Sequence, residues 1–139
     1  MPVPPALRRR VTLRAAARCE YCGLASIGQA ATFHIDHITP QAAGGRTVSG
    51  NLALACIHCS LRKGARRTAR DPRTGQPAPL FHPRRDKWNH HFRWAGTLLH
   101  GLTPTGRATI AALALNSAGH RIVRTFETRL HRHPPPGHA

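Results

Sequence analysis

The chain has 139 residues, and its 21 Lys and Arg residues outnumber 5 Asp and Glu residues, which gives a formal net charge of +16. This length suits one domain with a tail better than two domains. The charge favours a polyanionic partner, above all nucleic acid, but an aromatic content of 5% leaves few side chains for stacking along single-stranded bases. We therefore expect arginines to contact phosphate.

The sequence carries no clear targeting or membrane signal. No stretch approaches ~18 apolar residues, and the start MPVPPALRRRVTLRAAARC has no apolar core of signal-peptide length. The Arg-rich segments are interrupted by Gly, Pro, Ala and Thr, unlike the amphipathic helix of a membrane-surface protein. We expect a cytoplasmic protein that does not bind membranes.

The first third of the chain predicts a helix, a turn and a strand. Leu7, Val11 and Ala15 recur at spacing four after two prolines, which predicts a helix that leads to Cys19. The segment ATFHIDHI then alternates apolar and polar residues, as a half-buried strand does. The following PQAAGG is typical of a loop.

The rest of the chain predicts a basic helix, a long connection and two further helices. The segment NLALACIHCSLRKGARRTAR begins as a strand or turn and continues as a basic helix. Prolines and a glycine in DPRTGQPAPLFHPRRD predict an extended connection. TPTGRATIAALALN and GHRIVRTFETRLHRH show helical spacing, with Ile122, Phe126 and Leu130 on one face of the second helix. The final PPPGHA is predicted to be disordered.

Four cysteines form two CxxC pairs, Cys19 with Cys22 and Cys56 with Cys59. A gap of two residues lets both sulfurs of one turn reach one ion, so two such pairs can hold a tetrahedral zinc at ~2.3 Å. One alternative is two disulfides, which a reducing compartment disfavours, and another is four buried thiols, which the matched spacing disfavours. A thioredoxin-like redox pair is also disfavoured, because it needs a single CxxC at the start of a helix. A four-thiolate zinc has no open position and is structural.

These pairs, with FHIDHITP, GG and NLALACIHCSLRKG between and around them, resemble an HNH endonuclease with a four-cysteine zinc site. The resemblance implies an α+β fold in which a small zinc-stabilised ββα-metal core is flanked by N- and C-terminal helices. The whole chain, 1–139, would be one HNH nuclease domain. We place the core at about 16–70, an extension at about 71–132 and the disordered tail at about 133–139.

The resemblance assigns the candidate catalytic residues. Asp36 would hold a divalent metal, His37 would act as the general base, and Asn51 would stabilise the loop and orient the base. Phosphodiester hydrolysis requires a deprotonated water and a cation near the charge that develops, and these residue types suit both tasks. Taken alone, Asp36 could cap a strand end beside a surface histidine, and Asn51 could be an ordinary turn residue.

Two further residues are candidate ligands of the catalytic metal. Ser60 occupies the position after the last cysteine, where the family usually has His or Asn, and a hydroxyl is a weaker ligand than imidazole. His34 shares a strand face with Asp36 and is either a second ligand or an exposed edge histidine. Oxygen ligands favour Mg²⁺ or Mn²⁺ at this position.

The helix after the last cysteine carries the candidate nucleic-acid contacts. Lys63 resembles a family lysine that would meet phosphate, and Arg62, Arg66 and Arg67 extend the basic surface. The function expected from all of this is metal-dependent cleavage or nicking of DNA, expected to be double-stranded. The alternative is a zinc-ribbon module that binds nucleic acid and whose nuclease site has lapsed with Ser60.

Overall fold

The fold is seen in a computed structural model that describes residues 2–138. It separates into two compact units, one up to Arg67 and one from Thr68 onward. This division falls close to the predicted end of the core at about residue 70. Among the described residues, no helix is both long and apolar enough to cross a lipid bilayer.

The first unit begins with helix α1, Pro5–Arg14. Proline suits the first turn because its missing N–H would have no partner there. The predicted apolar face delivers Val11 to the interior, where it is fully buried. The helix ends as Ala16 and Ala17 take positive φ angles of 53° and 55°, which turns the chain toward the first cysteine pair.

A ββα arrangement follows. Strand β1, His34–His37, pairs antiparallel with β2, Leu52–Ala55, and helix α2, Ile57–Lys63, comes directly after. All four residues of β2 are buried, whereas in β1 His34 is exposed, Asp36 is buried and the other two residues are half-buried. The α+β class and the predicted order of strand, loop, strand and basic helix are confirmed.

The loop between β1 and β2 depends on both of its glycines. Gly44 has a φ of 87°, a left-handed conformation that glycine adopts without strain. A Cβ at Gly45 would lie 1.7 Å from the carbonyl oxygen of Thr39, so only glycine allows this close approach. The loop therefore folds back toward the end of β1.

The second unit consists of two hairpins and three helices. Strands β3, Thr68–Arg70, and β4, Pro77–Pro79, form the first hairpin, within the stretch predicted as an extended connection. The short helix α3, Trp88–His91, precedes the second hairpin. That hairpin and the last two helices are β5, Phe92–Ala95; β6, Leu98–Gly101; α4, Pro104–Ala112; and α5, Ala118–Arg129.

The C-terminal segment differs from the predicted disorder as far as residue 138. The ring of His138 stacks on Trp88 at a centroid distance of 3.7 Å, and His133 Nε2 lies 2.9 Å from the Gly96 carbonyl oxygen. The terminal position of PPPGHA predicted an unstructured tail, but the histidines on either side of the three prolines make contacts within the second unit. Ala139 lies outside the described residues.

A buried ion pair in the second unit makes its stability sensitive to acid. The Asp71 carboxylate is fully buried and accepts two hydrogen bonds of 2.9 Å from the Arg107 guanidinium. Arg107 holds the pKa of Asp71 well below its usual range. The pair therefore contributes stability above the unfolded pKa of about 3.9, and this contribution is lost as the pH falls below that value.

We expect the melting temperature of the wild type to fall more steeply below about pH 4 than that of an Asp71→Asn variant. Thermal unfolding followed by circular dichroism between pH 6 and pH 3 measures both slopes. Parallel slopes would contradict the assignment of this acid sensitivity to Asp71.

Candidate metal centre and nuclease site

The four cysteines converge although the two pairs are far apart in sequence. Their sulfur atoms all lie within 4.8 Å of one another, and every one of the four residues is buried. The Sγ atoms of Cys22 and Cys56 are 3.8 Å apart. The turn that carries the first pair is thereby held against the turn that begins α2.

This geometry fits a structural zinc and not a pair of disulfides. A tetrahedral zinc with Zn–S distances of ~2.3 Å places its sulfurs about 3.8 Å apart, whereas a disulfide requires about 2.05 Å. In each pair a backbone N–H approaches the first sulfur, from Cys22 to Cys19 at 3.5 Å and from Cys59 to Cys56 at 3.4 Å. These donors would stabilise thiolate charge.

The chemistry of the sulfurs also calls for a cation. Hydrogen bonding with the neighbouring cysteines, Cys19 first, and burial raise the pKa of Cys59 well above the usual thiol range. Four thiolates in so small and dry a volume repel one another. A divalent ion is what allows all four to be deprotonated together.

The first cysteine turn is also fixed to β2 through the backbone. Glu20 N–H donates to the Leu54 carbonyl oxygen at 2.8 Å, and Leu54 N–H donates to the Glu20 carboxylate at 2.8 Å. Tyr21, the next residue, is 1% exposed. Its side chain is thus carried into the interior beside the strand pair.

Asp36 lies at the centre of a buried polar group. Its Oδ2 atom accepts a hydrogen bond of 2.6 Å from the Tyr21 hydroxyl and lies 3.1 Å from Lys63 Nζ. Its Oδ1 atom has a longer contact of 3.4 Å with the same ammonium. The carboxylate is 9% exposed, so these contacts provide most of its solvation.

Burial and charge act in opposite directions on this group. Burial raises the pKa of Asp36, and the positive charge of Lys63 together with the Tyr21 hydrogen bond offsets part of that rise. Burial and the neighbouring carboxylate raise the pKa of Tyr21 well above its usual value. The tyrosine is consequently a hydrogen-bond donor throughout the physiological pH range.

Lys63 differs from its predicted role as a phosphate contact. Its side chain is 2% exposed, and its ammonium also donates to the carbonyl oxygens of His37 and Ile38 at 3.3 and 3.2 Å. A charge run along a helix suggested an outward lysine, but the helix turns this position toward Asp36. Lys63 is a counter-ion of the site, and phosphate cannot reach it in this conformation.

The neighbouring residues Arg62 and Lys63 allow a matched comparison. Lys63→Ala breaks a buried ion pair and is expected to lower the free energy of unfolding by about 3–5 kcal/mol. Arg62 is exposed, so Arg62→Ala is expected to leave stability within about 0.5 kcal/mol and to weaken DNA binding instead.

Urea unfolding and DNA binding at several salt concentrations measure the two effects separately. The placement of Lys63 would be contradicted if Lys63→Ala were as stable as Arg62→Ala and weakened DNA binding to the same extent.

His37 follows Asp36 at the end of β1 and has a different hydrogen-bonding partner. Its Nε2 atom lies 2.9 Å from the hydroxyl of Thr47 in the loop before β2. β1 ends at His37, shortly before the segment PQAAGG that the sequence predicted as a loop. The ring is partly exposed and is fixed at one nitrogen.

Asn51 ties the two ends of the loop together. Its Oδ1 atom accepts from Thr39 N–H at 2.8 Å, and its Nδ2 donates to the carbonyl oxygens of Thr39 and Arg46 at 3.0 and 2.9 Å. These three bonds give it the predicted loop contacts. It acts on His37 indirectly, because it fixes the loop that carries Thr47.

The two weaker candidate ligands of the catalytic metal, His34 and Ser60, lie side by side. His34 Nδ1 is 2.8 Å from Ser60 Oγ, which joins the start of β1 to α2. Within residues 2–138, the cysteines are the only group of three or more His, Cys, Asp or Glu side chains close enough to share an ion. A second cation would therefore rest on few protein ligands and keep most of its water.

The arginines of the first unit differ in what their side chains contact. Arg8 donates to the Phe33 carbonyl oxygen at 3.2 Å, and Arg14 donates to the carbonyl oxygens of Ser49 and Leu52 at 3.0 and 2.7 Å. Other arginines of this unit are exposed on α1, on the β1–β2 loop and at or after α2: Arg9, Arg10, Arg46, Arg62, Arg66 and Arg67.

Sequence reasoning missed Tyr21 and Thr47. Tyr21 stands between two predicted zinc ligands, and that position was a signal that its side chain would enter the core. Thr47 has no distinguishing signal, because many loop threonines look the same. Its role depends on the fold-back of the loop.

Comparison with known proteins gives one result. Residues 19–66 match a family model described as HNH endonuclease. This segment is about a third of the 139 residues and contains all four cysteines, β1, β2 and α2. Comparisons with curated proteins and with solved structures give no match.

Proposed function

We propose, from the match of residues 19–66 to the HNH endonuclease family model, that the protein is a metal-dependent endonuclease that cleaves phosphodiester bonds in double-stranded DNA. The observation that carries the proposal is the arrangement of Asp36 and His37. They are adjacent at the end of one strand, and different partners hold their side chains. A zinc centre with no open position supports the pair and leaves the chemistry to them.

His37 would act as the general base. When Nε2 donates its proton to the Thr47 hydroxyl oxygen, Nδ1 keeps its lone pair and can accept a proton from water. Thr47 is thus the residue that selects the useful tautomer.

Asp36 would supply the carboxylate for a Mg²⁺ or Mn²⁺ ion, with Ser60 and His34 as weaker candidates. The donor set fits a hard cation that keeps several waters, since one carboxylate is a usual protein contribution to such a site. When bound, the cation would stabilise negative charge on the phosphate. Because Lys63 competes for the same carboxylate, we propose that the site binds this cation weakly.

The exposed arginines would hold the DNA backbone. They offer fork-shaped donors for phosphate, and they lie on the same unit as Asp36 and His37. This unit has few acidic residues to neutralise them. Binding should therefore weaken steeply as salt is raised, with a slope set by the number of phosphates contacted.

Nicking of a supercoiled plasmid tests the proposal. The zinc-loaded protein is incubated with Mg²⁺, Mn²⁺, Ni²⁺ or EDTA, beside a His37→Ala variant prepared in parallel. Nicking by the wild type with Mg²⁺ or Mn²⁺, its loss in EDTA and its loss in His37→Ala are the expected results. Absence of nicking by the wild type with every metal would contradict it.

A second candidate is a zinc module that binds nucleic acid without cutting it. The observation that favours it is the ion pair between Asp36 and Lys63, together with Ser60 in place of a stronger ligand. This candidate predicts the same salt-sensitive DNA binding but no divalent-metal dependence. The plasmid assay separates the two, because only the nuclease loses activity in His37→Ala while it still binds DNA.

A further inference from the structure

Tyr21 links the zinc centre to the carboxylate of the proposed nuclease site. It lies between Cys19 and Cys22, and Glu20 holds the same turn against Leu54 of β2 by two hydrogen bonds of 2.8 Å, one from its backbone N–H and one to its carboxylate. Asp36 is paired in register with Ala53, the residue before Leu54. The zinc turn and Asp36 therefore meet at one point of the strand pair.

The tyrosine contact is more directional than the lysine contact. The Tyr21 hydroxyl donates a hydrogen bond of 2.6 Å to Asp36 Oδ2, a length typical of a charge-assisted O–H···O⁻ bond. Lys63 divides its ammonium protons among the carboxylate and two backbone carbonyl groups at 3.1 to 3.4 Å. Lys63 therefore balances the charge but does not by itself fix the rotation of the carboxylate.

The two carboxylate oxygens are consequently unequal. Oδ2 is engaged by the short hydroxyl contact and by the nearer lysine contact, whereas among residues 2–138 Oδ1 has only the 3.4 Å contact. A carboxylate that is free to rotate would present either oxygen. A carboxylate with one oxygen held by the Tyr21 hydroxyl points its other oxygen in one fixed direction.

We propose that Tyr21 is a positioning residue: it holds Asp36 through Oδ2 so that Oδ1 is presented to a divalent cation. The proposal rests on the nuclease function for the identity of that cation. It adds a dependence of the cation site on the zinc centre, because the residue that orients Asp36 is part of the zinc-binding turn.

The first test measures Mn²⁺ binding to the zinc-loaded protein by the loss of the free-ion electron paramagnetic resonance signal. Tyr21→Phe keeps the buried ring and removes only the hydroxyl. We expect Mn²⁺ affinity to fall about 10- to 100-fold, the usual cost of losing a partner that orients a ligand, while zinc content stays at one per chain. Asp36→Asn is expected to lose the site.

Thr47→Val is the matched control, because it removes a hydroxyl from His37 instead of Asp36. It is expected to slow nicking and leave Mn²⁺ affinity unchanged. Equal Mn²⁺ affinity in wild type and Tyr21→Phe would overturn the proposal, as would a wild type that binds no Mn²⁺. A wild type that binds Mn²⁺ through Asp36 but never nicks would defeat the nuclease function and leave this inference standing.

A second measurement does not depend on the folding of a variant. Tyr21 is the only tyrosine in the chain, so biosynthetic 3-fluorotyrosine labels this site alone. We expect Mn²⁺ to broaden its single ¹⁹F resonance in the otherwise wild-type protein and not in Asp36→Asn. A resonance that stays sharp at Mn²⁺ concentrations that support nicking would overturn the proposal.

Discussion

Replacing Cys59 by serine is expected to unfold the first unit at ordinary temperature. Structural zinc contributes an apparent ~10–16 kcal/mol in small zinc modules, as much as or more than the 5–15 kcal/mol that typically separates a folded domain from its unfolded chain. In its described residues this unit has a two-stranded sheet, two α-helices and two short 3₁₀ helices around the four cysteines. It cannot bury enough apolar surface to replace the metal.

Elemental analysis and circular dichroism measure this effect. The wild type should contain one zinc per chain and lose structure when a strong chelator is added. Leu61→Ser, on the same helix at a side chain that is 72% exposed, is the control and should keep both zinc and fold. A Cys59→Ser protein that folds without zinc would contradict a structural role for the metal.

His37→Ala is expected to lower the rate of DNA nicking by about 10²–10⁴-fold, the usual contribution of a general base. DNA affinity should change little, because the imidazole is bonded to Thr47 and the exposed arginines supply the phosphate contacts. The loss should therefore appear in kcat and not in binding. Single-turnover nicking beside a filter-binding titration separates the two quantities.

The control for this variant is His58→Ala, the same substitution at a residue between the last two cysteines to which we assign no catalytic role. It should nick at close to the wild-type rate. If His37→Ala nicked as fast as His58→Ala, His37 would not be the base.

The sequence was sufficient for the parts of the fold that depend on local spacing. Two CxxC pairs could be interpreted as one metal cluster because the spacing itself limits where the sulfurs can lie. Alternation in FHIDHI predicted β1, and the proline after it predicted where β1 ends. The loop glycines were predicted as a turn, although the close approach of Gly45 to Thr39 depends on the folded loop.

Contacts between distant segments could not be predicted in the same way. Lys63 lies in a run of basic residues, and only the packing of α2 on β1 shows that it is the one that turns inward. The partner of Asp36 therefore comes from 27 residues away along the chain, and that of His37 from ten. No local pattern encodes either pairing.

The helix α5 shows the same limit in the second unit. The predicted apolar face is present, but Ile122 and Phe126 are 58% and 56% exposed, whereas Arg124 and Glu127 are buried. Arg124 lies over the ring of Trp94 at 4.7 Å, and Glu127 pairs with Arg132 at 2.7 Å. Specific partners for the charged side chains determine which face of this helix is covered.

Conversion of supercoiled plasmid to open circle by zinc-loaded protein in Mn²⁺ tests directly whether the protein is a nuclease with His37 as its general base. Wild type and His37→Ala are compared at concentrations that give equal DNA occupancy. We expect open-circle product from the wild type and a rate at least about 100-fold lower from His37→Ala. Equal rates, or no product from the wild type with any divalent metal, would contradict it.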